Sequence, residues 1–265
     1  MGEIDLRGRT AVVTGASRGI GAAIARYAAE QGVRLGLCAR SAPALPESET
    51  VVSLRADVTD EAAMTRFAAR VEERFGAIDL WINNAGVLGP IAPVRDVTPD
   101  AFRRHLEVNL TGVFIATRLY IAHRRRHGGG GVLINVSSGA AWKPYQGWGP
   151  YCAGKAGVER LTEVVALEER ASGLRAHAIA PGVVDTDMQA EIRACPPERF
   201  PEVARFVEMK RDDSFNTGRY VARELLAIAF DPARRSDEVA LRLADEVALR
   251  LADEAALRLA DERAS

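Results

Sequence analysis

The sequence predicts an α/β fold: a single doubly wound parallel sheet followed by a C-terminal repeat tail. Short β-branched apolar runs alternate with segments whose apolar residues recur at helical spacing, which is the pattern of a parallel sheet covered by helices. The first of these runs passes through a glycine-rich loop into a helix. A length of 265 residues suits one such domain with a large core.

Composition excludes several classes of protein. The net charge of -1 argues against a nucleic-acid partner. No apolar run is long enough to cross a membrane, and the N-terminus lacks the order of a signal peptide. Cys38, Cys152 and Cys195 are widely spaced without a CxxC pair, so they indicate neither a disulfide framework nor a zinc site. We therefore expect a cytoplasmic protein without a bound metal.

The first predicted strand and helix, residues 10–32, enclose three glycines spaced Gly-x3-Gly-x-Gly. In a strand-loop-helix unit, Gly15 would permit the tight turn and Gly19 would let the backbone approach a pyrophosphate. Gly21 would let the helix pack on the strand. An ordinary glycine turn is the alternative. The position at the start of the chain favours a dinucleotide site.

The end of the second predicted strand, residues 33–40, bears on which dinucleotide binds. An acidic residue there would bond the ribose 2′-hydroxyl of NAD. The chain instead has Arg40, and Arg18 lies in the glycine loop. Two guanidinium groups could hold a 2′-phosphate, so NADP(H) is expected, the alternative being two solvated arginines. Because residues 41–50 separate this strand from the next, any crossover helix must be very short or absent.

The next elements continue the alternation. Residues 51–58 predict the third strand, and residues 60–76 predict an amphipathic helix capped by Thr59 or Asp60. Residues 77–86 predict the fourth strand, which runs into a segment of small and amide side chains.

A long helix is predicted from Pro99 to about His127. His123 and His127 are four residues apart, which is a metal-binding spacing, but three arginines lie between them and no carboxylate is near in sequence. We therefore interpret them as a solvated helix end that complements the helix dipole.

The fifth strand and its following helix carry the residues best suited to chemistry. Residues 131–138 are β-rich and end at Ser138, while 150–170 have helical spacing from a proline onward. Tyr151 and Lys155 then lie one turn apart on one face. A free tyrosine has a pKa of about 10, and a lysine ammonium and a helix N-terminus should both lower the pKa of Tyr151 towards roughly 7. Such a phenol could exchange a proton with a substrate oxygen held by Ser138.

The last part of the domain is expected to close over the site. Residues 173–180 predict the sixth strand, and 217–230 predict a helix. Between them, 187–216 look like two short helices, which makes this segment the expected substrate lid.

The chain ends in a repeat. The octapeptide DEVALRLA starts at position 237 and is copied at positions 245 and 253. The first copy can add a seventh strand at about 238–243, after which helix is expected. We therefore divide the chain into a domain, 1–244, and a repeat tail, 245–265, expected to be helical.

Together these motifs resemble the short-chain dehydrogenase/reductase family, which has a Rossmann fold, over residues 9 to about 245. The family's catalytic serine, tyrosine and lysine correspond to Ser138, Tyr151 and Lys155. The resemblance also implies that Asn109 holds a water in the proton relay. Without the resemblance, Asn109 would be interpreted as a buried asparagine that stabilises its helix.

The resemblance implies a cofactor site as well. In the family, the end of the third strand borders the adenine, and small residues after the fourth strand let the backbone pass close to the cofactor. The segment after the sixth strand fixes the nicotinamide carboxamide. The expected cofactor-binding residues are Gly15, Ser17, Arg18, Gly19, Ile20, Arg40, Asp57, Val58, Asn83, Ala85, Gly86, Tyr151, Lys155, Pro181, Gly182, Val184 and Thr186.

Within the family, the segments around Tyr151 and after Pro181 are similar to the sepiapterin reductase and benzil reductase branch. Both enzymes reduce compounds with adjacent carbonyl groups. Five side chains would line a pocket for such planar substrates, although they could equally be core and lid packing. These side chains are Leu88, Tyr145, Trp148, Val183 and Met188.

The expected function is therefore NADPH-dependent reduction of a small-molecule ketone or adjacent dicarbonyl, with a tyrosine as proton donor, in a homodimer or homotetramer. One alternative is a 3-oxoacyl thioester reductase, for which Arg124–Arg126 is a weak docking patch. The other is a non-catalytic NADPH-binding sensor, which the presence of all three catalytic residue types opposes.

Overall fold

The centre of the computed structural model, which describes residues 5–249 and residue 252, is one sheet of seven strands. The strands are β1 (Thr10–Thr14), β2 (Arg34–Ala39), β3 (Val51–Arg55), β4 (Leu80–Asn83), β5 (Val132–Val136), β6 (Arg175–Ala180) and β7 (Ala240–Arg242). Their order is β3-β2-β1-β4-β5-β6-β7, and every neighbouring pair is parallel. The order reverses beside β1, where a doubly wound sheet opens a crevice. The predicted fold class is confirmed.

Helices cover both faces of the sheet. They are α1 (Gly19–Glu30), α2 (Glu61–Phe75), α3 (Pro99–Leu106), α4 (Gly112–Arg126), α5 (Gly149–Glu168), α6 (Asp187–Arg193), α7 (Val203–Arg211) and α8 (Gly218–Phe230). Helix α1 packs against α8, and α2 packs against α4. Among the described residues, no helix has both the length and the apolar character needed to cross a membrane.

The core is divided by the sheet into two apolar layers. Val13 and Ile82 belong to the layer beneath α1 and α8, whereas Val12 and Trp81 belong to the layer beneath α2, α4 and α5. Successive strand residues point to opposite faces, so both faces of a central parallel strand must be apolar. This explains why the strands read as continuous apolar runs rather than as alternating patterns.

Two expectations about the helices are refined. Residues 41–50 contain no helix, as the sequence indicated, and the lid segment forms the two short helices α6 and α7. The long helix expected from Pro99, however, is interrupted by a π-helical turn at Glu107–Thr111. The N-cap of α2 is Asp60, whose side chain accepts a bond from Ala63 N.

The expectation of a solvated histidine pair is wrong for His123. Its side chain is buried, and Nε2 accepts a 2.9 Å bond from Ile78 N. Glu72, on α2, reaches both rings, with one oxygen 3.2 Å from His123 Nδ1 and the other 2.9 Å from His127 Nε2. The sequence misses this carboxylate because it comes from a different helix, which packs beside α4.

The geometry of these three residues favours a hydrogen-bonded helix junction over a metal site. Their potential ligand atoms lie within 4.8 Å of one another. Because His123 Nε2 accepts the Ile78 N–H, its proton must be on Nδ1, and that nitrogen has no lone pair for a cation. Hydrogen bonds from His127 and Arg126, with His123 Nδ1 3.2 Å away, outweigh burial and lower the pKa of Glu72 to about 2.

The buried histidines predict a loss of stability in mild acid. Burial lowers the pKa values of His105, His123 and His177 from their ordinary value. Below about pH 6.5 these histidines bind protons in the unfolded chain but not in the folded chain. The free energy of unfolding therefore falls as the pH drops from there towards the pKa values of the folded state. We expect the free energy of unfolding in urea to fall between pH 7 and pH 5 by up to about 1.4 kcal/mol per pH unit for each histidine.

A variant of one histidine tests whether these residues cause the loss of stability in acid. His177 Nδ1 bonds Glu238 O, a contact that the amide of a His177→Asn variant can retain. The variant should show a shallower loss of stability between pH 7 and pH 5. Unfolding energies that do not change over this interval would contradict the prediction.

The predicted seventh strand is present, and the chain beyond it is anchored to α8. Strand β7 is followed by helical residues at 246–249, while residues 250–251 and 253–265 of the predicted helical tail lie outside the described residues. Glu246 accepts a 2.6 Å bond from Thr217 N, at the N-cap of α8, through Oε2. The first residues of the predicted tail therefore complete a helix cap of the domain.

This contact predicts where the chain can be shortened. A chain ending at Glu246 should keep the melting temperature of the whole protein, because the cap is retained. A chain ending at Ala244 loses a capping contact of about 1 kcal/mol, which corresponds to about 2–4 °C for a domain of this size. Differential scanning calorimetry of the two chains measures the difference, and equal melting temperatures would contradict it.

Candidate active site

The carboxyl ends of the parallel strands open into a cavity of about 1090 Å³. Ligands of doubly wound folds bind in this position. All of the predicted cofactor and substrate residues except Asn83 line the cavity. Of the four predicted catalytic residues, Ser138, Tyr151 and Lys155 line it and Asn109 does not.

The glycine loop between β1 and α1 fits a dinucleotide because its glycines stand where side chains would clash or strain the backbone. Gly15 and Gly19 have φ angles of +66° and +55°, which favour glycine. A Cβ on Gly15 would lie 2.7 Å from Ala85 Cα, so the loops after β1 and β4 touch through backbone. A Cβ on Gly21 would lie 2.4 Å from Gly15 O, so this glycine packs against the loop itself. The loop leads into the N-terminus of α1, whose amide groups suit a pyrophosphate.

The two arginines expected at a 2′-phosphate have different surroundings. Arg18 is paired with Asp187, the first residue of α6, at 3.0 Å, and both side chains are exposed. Arg40 follows β2 and forms no ion pair with any residue that the structure describes. Arg40 is therefore the arginine whose charge is available to an anionic ligand, while the charge of Arg18 is shared with Asp187.

The two asparagines at the end of β4 require a correction. Asn83 is buried inside the sheet, where it accepts a bond from Trp81 Nε1 and donates one to Asn135 Oδ1, so it cannot reach the cavity. Asn84 lines the cavity instead, and its backbone N–H donates to Thr14 Oγ1 at 3.1 Å. The alternation of side chains along a strand decides which neighbour faces the ligand.

Tyr151 lies in the first turn of α5 and lines the cavity together with Ser138. Burial raises the pKa of the Tyr151 phenol, and the neighbouring Ser138 hydroxyl opposes this effect without cancelling it. The expected fall of this pKa towards 7 is therefore wrong, because loss of water outweighs the neighbouring polar groups. Tyr151 is a neutral phenol at physiological pH, which is the form that can donate a proton.

Lys155 lies one turn further along α5 and is also buried. Its Nζ donates a 2.7 Å bond to Val136 O, at the end of β5, and lies 5.7 Å from the centre of the Tyr151 ring. Burial lowers the pKa of Lys155 to about 8, although the carboxyl group of Glu159 opposes this shift. At neutral pH the ammonium form still predominates.

Asn109 lies in the π-helical turn, and its side chain is bonded on every side. Its Oδ1 accepts from Val87 N at 2.9 Å, and its Nδ2 donates to Val87 O at 2.7 Å and to His105 Nε2 at 2.6 Å. The other nitrogen of His105 donates to Gly89 O. The Asn109 side chain therefore fixes the chain after β4, and a role in proton transfer is not visible in its contacts.

An aromatic cluster borders the cavity, which Tyr145, Trp148 and Phe206 line. Trp148 stacks on Phe200 with ring centres 4.8 Å apart and has Tyr145 at the same distance. Phe206, on α7, lies 5.8 Å away. The sequence pattern identified Tyr145 and Trp148 but missed the two phenylalanines, because they come from the lid and have no motif of their own.

Comparisons with known proteins agree with this geometry. The family model described as short chain dehydrogenase matches residues 9–196. A benzil reductase ((S)-benzoin forming) of Bacillus subtilis (strain 168) is 30% identical, covering 82% of this chain and 91% of its own. A cis-4-hydroxycyclohexanecarboxylate dehydrogenase of Sinomonas cyclohexanicum is 35% identical, with coverages of 83% and 94%. A variant of the actinorhodin polyketide ketoreductase with NADPH superposes with a TM-score of 0.76 at 27% identity, covering 89% of this chain and 96% of that one.

Proposed function

The chain belongs to the short-chain dehydrogenase family, near its benzil reductase branch, and from this premise we propose that it is an NADPH-dependent carbonyl reductase. The proposed substrate is a ketone with an adjacent carbonyl group, of the benzil or sepiapterin kind. The observation that carries the proposal is that Ser138, Tyr151 and Lys155 line the same cavity as the glycine loop.

In the proposed reaction, bound NADPH supplies hydride to the carbonyl carbon. Tyr151, as a neutral phenol, donates its proton to the carbonyl oxygen. Ser138 holds that oxygen against the phenol. Lys155, as an ammonium ion, stabilises the phenolate that Tyr151 becomes, because the two groups share a site from which water is excluded.

The cavity supports a planar substrate with little charge. Its wall at the lid is aromatic around Trp148, and Leu88, Val183 and Met188 add apolar surface. An adjacent second carbonyl lowers the barrier to hydride addition by withdrawing electrons from the first. A flat diketone would therefore match both the shape and the chemistry of the site.

We also propose a homo-oligomer in a reducing, cytoplasmic location. Phe114 on α4 and Val164 and Leu167 on α5 are large apolar side chains that are more than two-fifths exposed. Such surface indicates an interaction with another chain. The three cysteines are free thiols, which supports a reducing compartment.

A substrate panel tests the function. NADPH oxidation is followed at constant enzyme concentration with benzil, sepiapterin, simple aldehydes, 4-oxocyclohexanecarboxylate and 3-oxoacyl thioesters. The proposal requires the highest kcat/KM for a dicarbonyl compound. A preference for the thioesters would replace it with the alternative reductase, and the absence of turnover with every compound would indicate a binding protein.

The first prediction for this site concerns cofactor choice. We expect NADPH to bind at least about tenfold more tightly than NADH, since one charge-assisted bond contributes about 1.5–3 kcal/mol. Arg40→Asp should reverse the preference, because the carboxylate repels a 2′-phosphate and accepts a bond from a 2′-hydroxyl. Isothermal titration calorimetry measures both affinities. Arg66→Asp, an equal change of charge on the exposed side of α2, should leave the ratio unchanged.

The second prediction separates catalysis from binding. Tyr151→Phe should lower kcat by about 10²–10⁴-fold and leave the Kd of NADPH nearly unchanged, since only the proton donor is removed. Lys155→Ala should reduce both the rate and the affinity for NADPH. Tyr145→Phe, which removes a phenol from the same cavity, is the matched control and should keep most of the activity. Near-normal turnover in the Tyr151 variant would refute the mechanism.

A further inference from the structure

The end of β5 is bonded to α5 at successive residues, and one of these bonds involves a carboxyl group that the reaction does not use. Val136 O accepts from Lys155 Nζ, and the next residue, Ser137, donates through Oγ to Glu159 Oε1 at 2.5 Å. The residue after that is the site serine, Ser138. Glu159 therefore fixes Ser137. This residue lies between Val136, which accepts the bond from Lys155, and Ser138, whose hydroxyl is proposed to hold the substrate.

Glu159 is also the acidic residue nearest to Lys155 along α5. The two residues are one turn apart on the same face, and each has only 6% of its surface exposed. A carboxyl group buried to this extent needs a polar partner, and the Ser137 hydroxyl is one.

We propose that Glu159 is a positioning residue of the reductase site, which fixes Ser137 by accepting a hydrogen bond from its hydroxyl group and keeps Lys155 in its ammonium form by its charge. The inference rests on the proposed function, since it assumes that the ammonium of Lys155 supports proton transfer by Tyr151.

The groups facing this pair define the expected pH dependence. Burial lowers the pKa of Lys155 to about 8, and Glu159 opposes that shift. Burial raises the pKa of Glu159, Glu163 raises it further, and Lys155 lowers it. Tyr151 on α5 and His105 on α3 also face Lys155, and both are neutral at pH 7 because burial disfavours their charged forms. Glu159 is therefore the main negative charge that acts on the lysine.

The test is the pH profile of Glu159→Gln. Glutamine can still accept the Ser137 bond but carries no charge, so the pKa of Lys155 should fall further below its ordinary value. The basic limb of kcat/KM for NADPH-dependent reduction should then move down by about one pH unit, with a rate loss of about tenfold on that limb. Ser137→Ala removes the bond and keeps the charge, so it should lower the rate without moving the limb.

Other outcomes decide the proposal. If the glutamine variant does not fold, Glu159→Met, of similar length, removes the same charge. An unmoved basic limb in a folded, active variant overturns the proposal and leaves the reductase assignment intact. If the unmodified enzyme reduces no carbonyl compound, the proposed function fails instead.

A second inference rests on the repeat. Strand β7 is held on β6 by Val239 O, which accepts from Ala178 N at 2.8 Å, and by Leu243 N, which donates to Ala180 O at 2.9 Å. The side chain of Leu243 is buried in the core layer beneath α1 and α8. These contacts fix the first octapeptide to the edge of the sheet.

The residues that follow β7 are held just as specifically. Asn216 donates to Ala244 O at 3.2 Å and accepts from Glu246 N at 2.8 Å. Thr217 donates to Glu246 through both its backbone N–H and its hydroxyl. The binding place for the octapeptide thus includes the Asp-Glu pair that begins the next copy.

Every group that makes these contacts recurs eight residues later. The segment DEVALRLADE at 237–246 is repeated without change at 245–254. It recurs again at 253–262, with alanine in place of valine at the position of Val239, which contributes its carbonyl oxygen to β6. Because the first two copies have identical side chains, side-chain contacts with the edge of β6 cannot favour one copy over the other.

We propose that the second octapeptide, residues 245–252 with the following Asp-Glu, exchanges with the first on the edge of β6, so that β7 has two interchangeable occupants from one chain. The exchange lengthens the connection after α8 to about twice its size, which lowers the population of the second register only about threefold. Position 242, an arginine that lines the cavity, would then be taken by Arg250.

The test compares Leu243→Asp in the whole chain with the same change in a chain ending at Glu246. A buried carboxylate expels the first copy. The whole chain can replace it with the second copy and should melt within about 3 °C of the unmodified protein. The short chain has no replacement and should melt about 10 °C lower or fail to fold. Leu251→Asp, the same change in the second copy, should have no effect in the whole chain.

Three results would overturn the exchange. Equal losses in the long and short chains would mean that the second copy cannot enter, and no loss in either would mean that Leu243 does not anchor the strand. A rescue that strengthens with protein concentration would assign the replacement strand to a second molecule instead.

Discussion

The buried ammonium of Lys155 constrains the arrangement of the site more than any other group. Removed from water, it has one main-chain acceptor, Val136 O, at 2.7 Å. An unpaired buried charge is costly, so α5 cannot slide along β5 without losing this bond. The register of helix and strand that it fixes also brings Tyr151 against Ser138. The same region excludes side chains at Gly86, where a Cβ would lie 3.0 Å from Asn109 Oδ1.

Burial also determines the protonation states that the reaction requires. Loss of water raises the pKa of Tyr151 and lowers that of Lys155, because it penalises a phenolate and an ammonium alike. Both groups nevertheless carry their protons at neutral pH. A neutral acid beside a cation is the arrangement suited to protonating an oxygen as negative charge develops on it.

The nucleotide end of the cavity depends on close backbone contact instead. Gly15 and Ala85 touch, and Thr14 Oγ1 accepts the backbone N–H groups of both Asn84 and Ala85, so the loops after β1 and β4 form one rigid edge. Helix α6 meets this edge through the pair of Arg18 and Asp187, which is exposed and therefore contributes little stability.

The sequence by itself determined the order of strands and helices, the glycine loop and the serine, tyrosine and lysine of the site, because periodicity and turn chemistry are local properties. Only the tertiary structure decided that Asn84 rather than Asn83 faces the cavity, since the end of β4 and its alternation set that choice. It also decided the burial of His123 beside Glu72 and the rise in the pKa of Tyr151. Both results depend on elements that are distant in sequence but pack together and exclude water. A local sequence pattern does not show which elements will pack against each other.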